Sequence, residues 1–424
     1  MTLLIKNGRV VDPANKVDKE QDVLIKNGTI SQVSRDIKAK VDQTIDAQGK
    51  IVMPGVVDMH VHLREPGRED KETVLSGTRA GLKGGVTSVL AMPNTQPAPD
   101  SLENVKSLKE IIKNSAQSNV LIAGAITVGR LGQELTDITA SKKEGVVAIT
   151  DDGCSVDDAE ILFKALKEAQ KNKVVVICHC EDTMLSRSGV MNLGVTSTVL
   201  GLRGISNESE YKRVERDIKL AEKAKAHIHV AHVSCKESVD VIACAKKKGL
   251  QVTAETAPHY FSFDETALMG YNTNLKVNPP LRAKEDVKAI RQGLKEGIID
   301  AIASDHAPHT DNEKEIEFIR AEFGTIGLET LLAASITELI QSGLLDWGEL
   351  VRRVSLNPAK ILGLDKGTLK EGSVADIIIV DPDREWIVAK DKISSRSKNS
   401  AFIGRQLKGY VEYTILKGKV VFGK

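Results

Sequence analysis

The stretch Gly55-Val56-Val57-Asp58-Met59-His60-Val61-His62-Leu63-Arg64 begins as an apolar, β-rich run and ends in two histidines one residue apart. Alternate residues of an extended strand share a face, so His60 and His62 are expected side by side, about 7 Å apart. Met59 and Val61 are then expected to turn the other way, into apolar packing. Two imidazoles so placed can pinch one divalent ion, and they can equally occupy a half-buried strand without a ligand. The stretch also bears on the fold. An open doubly wound sheet would carry a Gly-rich phosphate turn after its first strand, and here His-Val-His stands in that place.

Further along, short apolar runs alternate with longer stretches rich in Lys, Glu, Ala and Leu. The runs are residues 56–63, 86–92, 120–127, 146–150, 174–179, 228–233, 252–255 and 299–304, and helical stretches include 155–172 and 209–226. Repeated strand–helix units of this kind point to an α/β protein. Eight of them over about 300 residues predict a (β/α)8 TIM-like barrel. The two ends share another style. Ile5-Lys6-Asn7-Gly8-Arg9-Val10 recurs as Ile25-Lys26-Asn27-Gly28-Thr29-Ile30 and again as Ile415-Leu416-Lys417-Gly418-Lys419-Val420. Asn-Gly between β-rich runs signals a hairpin, because both residues tolerate positive φ. We therefore expect residues 1–53 and 364–424 to form one small β-sandwich domain around a barrel at 54–363.

A net charge of +1 gives no electrostatic reason to expect nucleic acid or an acidic membrane as partner. The first residues lack the pattern of a secretory leader, and no apolar run reaches the roughly 18 residues that span a bilayer. A cytoplasmic location is the expectation. The five cysteines are an odd number, which suits a reducing compartment. Cys178 and Cys180, on either side of His179, read as small buried residues rather than ligands.

Barrel enzymes carry their reactive groups at the C-terminal ends of the strands. Those ends present His60 and His62, then Asn94, Asp151 and Asp152, His179, His232 and Asp305. Strand parity puts Val175, Ile177 and His179 on one face. It likewise groups Ile228, Val230 and His232 as an inward set, with His227 and His229 turned toward helices or solvent. Four histidines and two carboxylates exceed what one zinc ion accepts. They suit two ions that share a carboxylate and a water.

Five segments now carry a resemblance: Asp58-Met59-His60-Val61-His62-Leu63-Arg64-Glu65-Pro66-Gly67, Ala91-Met92-Pro93-Asn94-Thr95, Thr150-Asp151-Asp152-Gly153, Asn278-Pro279-Pro280-Leu281-Arg282 and Ser304-Asp305-His306-Ala307-Pro308-His309. In this order they resemble the dihydroorotases of the amidohydrolase superfamily, most closely the bacterial class I branch. The resemblance implies two Zn2+ per chain, bridged by Asp152 and a hydroxide. His60, His62 and Asp305 would hold one ion, and His179 and His232 the other. Asp305 would also be the catalytic proton carrier. Arg64 and Asn94 would clamp a substrate carboxylate, with His309 and His62 as further substrate contacts, and Asn278 and the Phe323-Gly324 backbone would meet the ring. The implied reaction interconverts (S)-dihydroorotate and N-carbamoyl-L-aspartate, with ring closure as the direction used in pyrimidine (UMP) biosynthesis. A homodimer is implied, and association with aspartate transcarbamoylase is allowed.

Residues 310–324, rich in Glu and Lys, are expected as a mobile loop beside the site. His259 could line the pocket, His306 should pack behind Asp305, and Glu65 with Arg68-Glu69-Asp70-Lys71-Glu72 reads as a solvated loop. Two rival readings stand beside this one. Hydantoinases and allantoinases share the barrel but usually bridge their metals with a carboxylated lysine at the end of strand four, where this chain has aspartate. Some members of the family have lost ligands and serve as non-catalytic partners, whereas all six expected ligands are present here.

Overall fold

The computed structural model describes residues 2–423. Each of the eight apolar runs forms a strand: Val56–Val61, Val86–Ala91, Asn119–Gly124, Ala148–Ile149, Val175–Cys178, Ile228–Val230, Val252–Thr256 and Ala301–Ile302. They lie side by side in chain order, and every pairing is parallel. Between the eighth strand and the first, the seam is held differently. The His62 N–H donates to the His306 carbonyl at 2.9 Å, and the buried Asp58 carboxylate accepts from Ser304 N at 3.0 Å. Helices fill the intervals, among them Ala159–Asn172, capped by the Asp158 carboxylate, and Glu208–Ala224.

Two apolar layers show which way each strand residue points. One joins Val57, Met59, Leu90, Ala123, Ala148, Val175, Ile177, Ala231 and Ala301, which come from six different strands and the residue just after another and so face one another inside the barrel. The other joins Val61, Val89, Val176, Ile228 and Val230 to helix residues such as Leu166, Val214 and Ile218. Three parity expectations are corrected by this division. Met59 points inward and not with Val61, because the pairing register slips between Asp58 and Val61. Ile228 and Val230 face the helices, whereas His229 is fully buried inside, bonded through Nδ1 to Thr253 Oγ1 at 2.8 Å. His232 reaches the rim because its own backbone turns left-handed, at φ 33°.

Both chain ends build one eight-stranded sheet, with Ile51–Pro54 antiparallel to Ile377–Val380. Leu3, Ile5, Val23, Ile25, Ile377, Ile379 and Ile415 pack together within this terminal β-sandwich. Asn27-Gly28 and Lys417-Gly418 form hairpin turns as expected, all four at positive φ. Asn7-Gly8 does not. It is a bulge inside the single strand Thr2–Asp12, where a side chain on Gly8 would collide with Val52.

A buried ion pair ties a long excursion after strand five to the barrel. Arg282, 2% exposed, donates to Asn192 Oδ1 at 3.1 Å and the Ile205 carbonyl at 2.9 Å, and its Nη2 faces Glu210 at 3.5 Å. Removing one partner leaves the other charge buried and unpaired, at a cost of about 3–5 kcal/mol. We predict that Arg282→Met lowers stability by that amount, read as a shift of the denaturation midpoint at unchanged slope.

Candidate metal centre

Four imidazoles and two carboxylates from five strand ends converge on one point of the rim. His60 Nε2 lies 3.3 Å from Asp152 Oδ1 and 3.6 Å from Asp305 Oδ1. His62 Nε2 lies 3.5 Å from Asp152 Oδ2 and 3.3 Å from Asp305 Oδ1. On the far side, His179 Nδ1 and His232 Nε2 stand 3.7 and 3.6 Å from Asp152 Oδ1, and 2.8 Å from each other. The structure thus brings together all six residues expected as ligands, and all are buried.

Their supports decide which nitrogens face inward. His60 Nδ1 donates to Glu255 Oε1 at 2.7 Å, and His62 Nδ1 donates to Asn94 Oδ1 at 2.8 Å. Each bond fixes a tautomer whose Nε2 lone pair points into the cluster. His179 Nε2 is held by Glu181 Oε2 at 3.0 Å, which leaves Nδ1 facing inward. Asp151 and Asp152 divide in the same way. Asp151 is saturated by the backbone N–H groups of Ile126 and Thr127 and by the Thr127 hydroxyl. Asp152 is left to the cluster.

The residues fit a cation. His60 Nε2 and Asp152 Oδ1 are buried with no hydrogen-bond partner, a costly state for polar atoms. Burial opposes charge on His60, yet the Asp152 and Glu255 carboxylates hold it well above the ordinary histidine value. Against the same burial, Asp152 and Glu181 push His179 up to about 10. Burial would raise Asp152 and Asp305, but the surrounding imidazoles hold both well below the usual carboxylate range. Two triads, His60–Asp152–His232 and His60–His62–Asp305, have donor atoms close enough to share an ion.

Beside the cluster opens a cavity of about 250 Å³ lined by Arg64, Arg68, Lys71, Asn94 and Arg130. Asn94 spends its carbonyl on His62, and its amide N–H groups donate to no partner among the described residues. Arg64 leaves the first strand with φ 61°, donates Nε to the Pro308 carbonyl, and places Nη2 3.3 Å from His309 Nε2. Burial pushes its guanidinium down to about 10, so it stays charged at neutral pH. Asn278 donates to Glu181 Oε2 at 3.0 Å. The Gly324 N–H and C=O are both spent internally, while the Phe323 N–H and C=O have no partner of their own among the described residues.

Several other expectations are corrected. Lys71 and Glu72 belong to no solvated loop. Lys71, 5% exposed, reaches Glu313 at 2.9 Å, and Glu72, fully buried, faces His306 Nε2 at 3.2 Å. Glu65 caps the next helix by accepting from Val74 N. His229 is no surface residue, and its Nε2 stands 3.4 Å from Glu255 Oε2. For His259 nothing overturns a place beside the pocket: it is buried against Tyr260, near enough to feel Asp305, His232 and His60, and burial holds it down to about 4. Sequence reasoning missed Glu181 and Glu255. A lone carboxylate in the run Val252-Thr253-Ala254-Glu255-Thr256 was the available signal.

The chain matches the Dihydro-orotase-like family model over residues 49–238 and the Amidohydrolase family model over residues 271–422. It is 51% identical to the dihydroorotase of Elusimicrobium minutum, across 99% of this chain and 97% of that protein. With the dihydroorotase of Geobacter metallireducens it shares 48% identity over the full length of both. The chain belongs to the dihydroorotase family. Among solved structures it resembles the L-hydantoinase (dihydropyrimidinase) of Arthrobacter aurescens, with a TM-score of 0.90 and 27% identity over 100% of this chain and 96% of that one. The dihydropyrimidinase of Brevibacillus agri gives a TM-score of 0.88 at 25% identity, over 100% and 95% of the two chains. Among the described residues no helix is long and apolar enough to cross a membrane.

Glu255 orients His60 without itself joining the triads. Loss of such a partner typically weakens metal binding by about 10–100-fold. We predict that Glu255→Gln does so, measured by competition with a chromophoric chelator.

Proposed function

We propose that the chain catalyses the reversible hydrolysis of (S)-dihydroorotate to N-carbamoyl-L-aspartate, a cyclic-amide hydrolysis, at two zinc ions. The observation that carries this reading is a metal-ligand cluster built on Asp152, with the Arg64 guanidinium and the Asn94 amide beside it. A cyclic amide that also bears a carboxylate needs both parts. His60, His62 and Asp305 would hold one ion, His179 and His232 the other, and Asp152 would bridge them. When bound, the ions supply a water that ionises near pH 7 and they polarise the amide carbonyl.

The side chains do the rest. Arg64 offers a planar fork to the substrate carboxylate, which a lysine cannot imitate, and the Asn94 amide and His309 complete that contact. Asp305 directs Oδ1 at His60 and His62. Its Oδ2 takes the proton of the attacking water and passes it to the leaving ring nitrogen. In ring closure the same oxygen takes the proton from the carbamoyl nitrogen and returns it to the departing oxygen. Asn278, through Glu181, and the Phe323 peptide would flank the ring. We propose a cytoplasmic homodimer as the working form.

The likeness to hydantoinases raises a second reading, a ring without a carboxylate. Strand four ends here in Thr150-Asp151-Asp152, with no lysine to carboxylate. An aspartate is ionised above about pH 3.9 without carbon dioxide. We therefore predict full activity from metal-stripped protein and zinc alone, in degassed, bicarbonate-free buffer. A bicarbonate requirement would move the bridge to another residue.

Turnover of dihydroorotate against hydantoin and dihydrouracil, with zinc content measured on the same sample, tests the assignment. Arg64→Lys should lose roughly tenfold or more in kcat/KM on dihydroorotate at unchanged metal content. Activity on uncharged rings should be untouched by that change. Asp305→Asn should abolish turnover in both directions, since an amide cannot accept the proton. More than about a tenth of wild-type rate in that variant would end the proton-carrier role.

A further inference from the structure

Residues 315–323 run as a strap beside the rim, and little apolar burial holds them there. Glu315, Glu317, Ile319, Arg320 and Glu322 are exposed, and only Phe318 and Ala321 are buried. Two lysine side chains take the place of a core, although burial pushes Lys276 down to about 8 and Lys314, which Lys276 also repels, down to about 7. Lys276, 2% exposed, donates from Nζ to the carbonyls of Phe318 and Ile319, each at 2.9 Å, and of Ala321 at 2.6 Å. Lys314, 3% exposed, donates to the carbonyls of Glu322 at 2.7 Å and Gly324 at 2.9 Å.

Neither ammonium is paired with a carboxylate at ion-pair distance among the described residues. A buried lysine without a counter-ion is costly unless its N–H groups are satisfied. Here four backbone carbonyls of the strap, and that of Gly324 just beyond it, satisfy them. The Lys276 carbonyl also accepts from Gly324 N at 2.8 Å, and its ammonium lies 4.6 Å from the centre of the Phe323 ring. Lys276 stands two residues before Asn278, so one segment carries a proposed ring contact and the anchor of the strap.

We propose that Lys276 and Lys314 are positioning residues. Their ammonium groups bind the strap's carbonyls and thereby present the Phe323 peptide to the substrate ring. Residues 310–324, expected from sequence to be mobile, are in this reading clamped. The role in substrate binding rests on the cyclic-amide reading of the site, whereas the clamp itself does not.

The test uses Lys276→Met and Lys314→Met in the zinc-loaded protein, each checked for metal content and melting temperature. A glutamate-specific protease reads the strap at Glu315, Glu317 and Glu322. Cleavage there should be roughly tenfold faster in either variant, because it reports local opening. The KM for dihydroorotate should rise about tenfold while kcat changes less than about threefold. Wild-type cleavage rates in the folded variants would overturn the clamp. Faster cleavage with unchanged KM would overturn the positioning role and leave the lysines purely structural. If Lys276→Met does not fold, Lys314→Met decides alone. If the wild-type protein does not turn over dihydroorotate, the site reading fails on its own while the protease measurement still judges the clamp.

Discussion

A carboxylate sealed among four imidazoles is the constraint on which the rest of this structure depends. Asp152 is 2% exposed, and one of its oxygens faces three imidazole nitrogens at 3.3 to 3.7 Å. Left to themselves, these groups would share protons, as the raised His60 and His179 values show. A divalent cation satisfies the same lone pairs at once. Much of the surrounding architecture keeps those lone pairs aimed inward. Glu255, Asn94 and Glu181 each hold the outer nitrogen of one imidazole. Backbone N–H groups hold Asp151 out of the way.

The same logic extends outward through charged residues that are not among the six expected ligands. Glu255 stands between His60 and the interior His229, so an acidic residue from strand seven links strands one and six. Glu72 accepts from the Ser395 hydroxyl and faces His306, whose backbone closes the barrel seam. The first βα loop, the seam and the segment after the barrel therefore meet at one buried carboxylate. Such networks rigidify a site only when fully satisfied.

Much of this was legible in the residue pattern. The eight runs became eight strands in order, and the ends of five of them supplied the cluster, with Asp152 preferred to Asp151 on the family resemblance alone. Alternation failed where the backbone departs from a regular strand. The register slip after Asp58 turns Met59 inward, and the left-handed turn at His232 brings that histidine to the rim although Ile228 and Val230, grouped with it by alternation, face the helices. One residue of slip exchanges the two faces of a strand, and neither event leaves a mark in composition. The loop reading from Arg68 to Glu72 failed only at Lys71 and Glu72, and for another reason. Lys71 and Glu72 are buried because partners far along the chain, Glu313, His306 and Ser395, receive them. Charge alone cannot reveal a partner hundreds of positions away.

Backbone strain gathers at the same rim. Arg64, His232 and Asp305 all adopt left-handed φ, at 61°, 33° and 47°. Such positions cost on the order of 1–3 kcal/mol each for residues with a side chain and persist only where the surroundings over-determine them. Here they are over-determined. The His62 N–H on the His306 carbonyl and the Asp58 carboxylate on Ser304 N pin the chain on both sides of the seam. Glycine would relieve the strain at each position and would delete the functional side chain with it. The rim is therefore a place where stability and chemistry oppose one another, and the seam bonds let the chemistry prevail.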